Sequence, residues 1–126
     1  MRPISFQMIS WDLYTEEQRL LCNKYKVPWT ETGSELFIGL ADDVFKGLNP
    51  INGLRQPQCD ITAGWYIWAG EEFSKAEDFF KPYHASQLLM MRPSIIKYLG
   101  LPPGFRFLVD DNGYEDVWED LELLKI

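Results

Sequence analysis

The chain has 126 residues, 46% of them hydrophobic and 25% charged, which is the balance of a folded domain and not of a disordered one. Its net charge of −7 repels phosphate backbones and so disfavours nucleic acid, would attract and steer a basic partner, and also serves plain solubility. The two cysteines, Cys22 and Cys59, form no CxxC, and no apolar run reaches membrane-spanning length or reads as a secretory leader; a single cytoplasmic domain with reduced thiols is expected.

The first predicted element is a helix over residues 15–26. Thr15 and Gln18 stand in capping-box relation, Leu20, Leu21 and Tyr25 are expected to face inward, and Pro28 stops it. Residues 36–40 read as a short strand. Residues 46–57 (KGLNPINGLRQP) are rich in turn formers and are expected to be a loop. Residues 61–69 read as a buried strand with large side chains on both faces, Trp65 and Ile67 on one and Tyr66 and Trp68 on the other. Residues 74–80 suggest a short helix ended by Pro82.

Leu88, Met91, Ile95 and Leu99 recur at helical spacing over 85–99, but Pro93 should break the helix and open its second part, with Gly100 closing it. Phe105, Phe107 and Val109 alternate as in a strand. Asn112-Gly113 predicts a hairpin turn, with a return strand from Tyr114 through Trp118. These elements describe an α+β fold, a small and mostly antiparallel sheet packed with a few helices.

Residues 110–122 carry Asp110, Asp111, Glu115, Asp116, Glu119, Asp120 and Glu122 and no basic residue. A calcium loop does not fit: starting at Asp110 puts Glu115 where the sharp turn needs glycine and Leu121 where a bidentate Glu is needed, and starting at Asp111 puts Asp116 at the glycine position. The block is then either an electrostatic surface for a basic partner or a solvated hairpin edge whose charges prevent strand pairing. In a strand, Tyr114, Asp116 and Trp118 would share one face. In a helix, Val117, Leu121 and Leu124 would share a face and leave the acids outside, and both readings stay open beyond Trp118.

Other chemistry is sparse. His84 is the only histidine, which disfavours a histidine metal site; pairing with Cys22, Cys59 or Ser86 has no supporting spacing, and packing or capping before Ala85 is the simpler role. Glu71 and Glu72, beside Trp68, are the best local carboxylate pair, and adjacent acids of this kind are mostly solvated. No GxSxG, GxGxxG or GxxxxGK[ST] occurs. Trp65, Tyr66 and Trp68 could stack a ligand but read more simply as core. No cofactor or metal is expected.

Four stretches taken in order are GWYIWAGEE at 64–72, FFKPYH at 79–84, YLGLPPGFRFL at 98–108 and GYEDVW at 113–118. Together they resemble the bacterial immunity protein thirty-three domain family, over residues 64–124. The resemblance implies an α+β fold, no enzymatic activity, and a protein partner, the cognate toxin of a polymorphic toxin system. It supplies no catalytic residues. On this reading the toxin-facing candidates are Asp110, Asp111, Tyr114, Glu115, Asp116, Trp118, Glu119 and Asp120, the acids meeting a basic toxin surface and an exposed aromatic anchoring it. The competing readings are a small hydrolase or ligand-binding enzyme using Glu71, Glu72 and His84, and a housekeeping domain that self-associates through its aromatics.

Overall fold

The computed structural model describes residues 3–70 and 79–125. Among these residues, helix α1 (Pro3–Tyr25) is followed by strands β1 (Phe37–Ala41), β2 (Ile51–Arg55), β3 (Thr62–Ala69), β4 (Phe80–His84), β5 (Phe105–Val109) and β6 (Glu115–Glu119), with the one-turn helix α2 (Leu88–Met91) and four short 3-10 helices between and after them. The strands form one sheet of order β4-β1-β3-β2-β5-β6, antiparallel at every neighbouring pair except β1–β3. The expected fold class is therefore the observed one.

One sheet face carries the main core. Ile38, Leu40, Ile51, Trp65, Ile67, Phe107 and Val109 pack there against Leu21 and Cys22 of α1 and Leu88, Ile95, Ile96 and Leu99 of the helical segment. The other face holds a smaller cluster of Ala41, Leu54, Trp68 and Leu123. Trp65 and Trp68 are thus both buried, as strand residues with partners on each side should be.

Three expectations about the first helix change. The first helix begins well before Thr15, whose hydroxyl donates to the Asp12 carbonyl at 2.7 Å from within the helix. Gln18 is not a cap but a buried clasp: its amide donates to the Ile96 carbonyl and its Oε1 accepts from the Trp29 indole, both at 3.0 Å. Leu21 faces inward while Leu20 is 66% exposed.

The turn-rich stretch 46–57 contains the central strand β2, hydrogen-bonded on both edges. Its glycine is a packing requirement, because a Cβ on Gly53 would collide with the Phe107 ring laid across it. The helix expected over 74–80 lies outside the described residues except at its end, where Phe80 opens β4. Pro82 sits within β4, an outer strand of the sheet, where a missing N–H is tolerated.

The break at Pro93 is present: α2 stops at Met91, and Pro93 takes the first turn of the 3-10 helix Pro93–Tyr98. Leu88, Ile95 and Leu99 are buried as predicted, but Met91 is exposed.

The end of that 3-10 helix presents carbonyls that need donors. Arg55, fully buried, supplies them: Nη1 donates to Leu101 O at 2.8 Å, to Thr30 O at 3.0 Å and to Leu99 O at 3.3 Å, Nη2 donates to Glu31 O at 3.3 Å, and Nε donates to Ala63 O at 3.0 Å. The Trp65 indole (3.1 Å) and the Thr32 hydroxyl (2.6 Å) also donate to Leu99 O, and the Cys22 thiol donates to Gly100 O at 3.3 Å. No carboxylate takes part in these contacts. Burial pulls the Arg55 pKa down to about 10, which leaves it charged at neutral pH.

Replacing Arg55 with Met should therefore cost about 3 kcal/mol, because several buried carbonyls lose their donor together. Urea unfolding of the two proteins measures this; a loss below about 1 kcal/mol would show that the cradle is dispensable.

Candidate functional site

The C-terminal hairpin brings the acidic block together. Strands β5 and β6 pair in unbroken register from Val109–Glu115 to Phe105–Glu119. The turn is longer than a two-residue one: Gly113 takes φ 95°, and the Asp110 carboxylate accepts the N–H groups of Asn112 (2.8 Å) and Tyr114 (3.0 Å). Past Trp118 neither open reading holds in full: Val117 belongs to the strand, and the helical turn beyond it buries Leu123 while Leu121 and Leu124 are exposed, so Val117, Leu121 and Leu124 share no helix face. The strand runs to Glu119, and the chain then turns into the 3-10 helix Leu121–Leu124, capped by Asp120 through the Glu122 N–H at 3.2 Å.

The acids do not share one face. Asp116 and Trp118 lie opposite Leu108 and Arg106, away from the main core, while Glu115, Val117 and Glu119 point to the helix side. Tyr114 precedes the strand and lines a cleft of about 270 Å³ on the helix side with Arg92, Lys97, Tyr98 and Glu115. That is smaller than most small-molecule sites.

The block also divides by task. Asp110 holds the turn. Asp111 accepts from the Asn49 amide at 3.0 Å and pairs with Arg92 at 3.5 Å. Asp120 lies 3.2 Å from Arg106 Nε, an ion pair without the alignment of a hydrogen bond.

Glu115 is the most tightly held. Its carboxylate accepts from the Tyr25 hydroxyl at 2.6 Å, the Tyr98 hydroxyl at 2.7 Å and the Lys24 ammonium at 2.8 Å, tying β6 to α1 and to the 3-10 helix behind it. Burial pushes its pKa up, but the Lys24 and tyrosine donors outweigh that and hold it at about 2. The same contacts push both tyrosines upward, burial being the larger cause in each. Asp116, Glu119 and the side chains of Tyr114 and Trp118 are exposed at the surface.

Of the residues of the hydrolase reading, only His84 lies among the described residues. Glu71 and Glu72 lie outside them. The His84 ring stacks on Phe37 at 4.4 Å between centroids, its Nδ1 lies 2.8 Å from the Glu35 carbonyl, and the His84 backbone N–H donates to Gln87 Oε1 at 3.0 Å, the packing and capping role. Cys22 is buried with its thiol pKa raised by burial, while Cys59 is exposed. Among the described residues no acid, cysteine and histidine group could hold a metal, and no helix is long and apolar enough to cross a membrane.

Glu115 sets a pH dependence. Its folded-state pKa is lowered, so its contribution is complete above the unfolded value near 4.5 and is lost as pH falls toward 2. Glu115→Gln should lower stability by about 2 kcal/mol at pH 7 and by much less near pH 2. Chemical denaturation of both proteins across that range checks it; a difference that does not shrink on acidification contradicts the ionised pairing.

No match to the chain was found among curated proteins or among solved structures. The family model of the Imm33-like domain matches residues 17–120. That match takes in the hairpin through Asp120, all the strands, and the α1 residues Lys24 and Tyr25 that hold Glu115. It also extends the resemblance, drawn from residues 64–124, across the N-terminal half. The chain belongs to the Imm33-like family.

Proposed function

We propose that this protein is an immunity protein that binds and neutralises a cognate bacterial toxin in the cytoplasm, without enzymatic activity. The match to the Imm33-like family carries the reading. The net charge of −7 favours a basic toxin surface.

The hairpin suits such a partner. Asp116 and Glu119 are exposed acids, and Tyr114 (52%) and Trp118 (38%) are exposed aromatics able to anchor a contact. Asp110, Asp111, Glu115 and Asp120 hold the hairpin in shape, so the surface is ordered before the toxin arrives. Its binding then avoids part of the entropy cost of ordering a loop.

Co-expression with the toxin domain encoded by the neighbouring gene tests this: growth should be restored and a complex should co-purify. Unrelieved killing with no complex would refute it. In the complex, Asp116→Lys with Glu119→Lys should slow association by about tenfold at low salt, and Trp118→Ala should weaken affinity by about 30-fold. Stopped-flow and calorimetric titrations measure the two.

A further inference from the structure

We infer that the outer edge of β6 is a strand-pairing site that takes an extended basic segment of the partner into the sheet. The inference rests on the toxin-binding reading and specifies how the contact is made.

Among the described residues the sheet has two outer strands, and they differ. β4 carries Pro82 at its centre, which cannot donate to an added strand. β6 contains no proline or glycine and is in continuous register with β5, without a bulge. Among the described residues nothing pairs with its far side.

The polarity of that edge follows from two hydrogen bonds. The Asp110 N–H donates to Tyr114 O at 3.2 Å and the Asp120 N–H to Gly104 O at 2.6 Å. Bonded pairs alternate along an antiparallel ladder, so the Leu108–Asp116 and Arg106–Trp118 pairs bond to each other. The backbone N–H and C=O groups of Glu115, Val117 and Glu119 therefore point outward.

Charge selects the occupant. Asp116 and Glu119 give the edge a negative sign, Glu115 being paired with Lys24, and neither Lys nor Arg stands within β6. Pairing of two copies edge to edge would set acids against acids and is disfavoured. A strand bearing Lys or Arg would face opposite charges across the pair, with Trp118 on one face for its apolar residues.

Val117 gives a clean test, because its N–H faces away from β5. Val117→Pro removes an outward donor and no ladder bond, while Val117→Ala removes similar packing and keeps the donor. With the toxin domain of the neighbouring gene as probe, Val117→Pro should bind about 100-fold more weakly than Val117→Ala, and wild-type binding should weaken steeply with salt.

If both variants bind alike, or binding ignores salt, the inference is overturned while the toxin-binding reading stands. If wild type binds no toxin, both fall. Should Val117→Pro fail to fold, amide hydrogen exchange of the wild type decides. New protection at Glu115, Val117 and Glu119 in the complex supports the pairing, and unchanged exchange there overturns it. A wild-type dimer in light scattering, with those amides already protected, also overturns it.

Discussion

A guanidinium in a protein interior must have acceptors for its hydrogens, and Arg55 finds them in backbone carbonyls rather than in a carboxylate. That constraint fixes the centre of the molecule. The carbonyls come from the loop after α1, from β3 and from the end of the 3-10 helix Pro93–Tyr98. A cation at the carbonyl end of a helical segment is also favoured by the aligned peptide dipoles. Gln18 and Cys22 of α1 bind the same segment, so the helix layer and the sheet are joined by polar contacts as well as by apolar packing.

From there the order passes outward. The segment that Arg55 holds ends in Tyr98, whose ring stacks on Phe107 at 4.8 Å. The Tyr98 hydroxyl reaches Glu115, and with Tyr25 and Lys24 it holds the first residue of β6. An acidic block that could have been a loose edge is thereby a fixed one. Some of its acids make structural contacts within the molecule, and others, Asp116 and Glu119, remain exposed.

The alternating stretches were legible as strands because period-two burial leaves its mark on side chains: β1, β3 and β5 stand where the sequence places them, and so does the break at Pro93. β2 was not legible. Its Asn-Pro and Asn-Gly pairs are turn signals, and its buried glycine has no side chain to show a pattern; it is a strand because β3 and β5 complete its hydrogen bonds. The clasp of Gln18 was hidden for a similar reason: a glutamine three residues after a threonine is a local capping signal, and only a distant carbonyl turns it into a buried contact.

The acidic hairpin itself was visible in the sequence, since Asn112-Gly113 and the run of carboxylates are local features. The sequence determined that the block exists, that it cannot be a calcium loop and that a hairpin organises it. Tertiary structure alone decided which acids are committed. Whether a carboxylate is a surface charge or a buried acceptor depends on what lies against it, and Glu115 meets Lys24 and Tyr25 from about ninety positions away in the chain. No local pattern records such a contact, because it is set by the packing of a helix and a strand at opposite ends of the sequence.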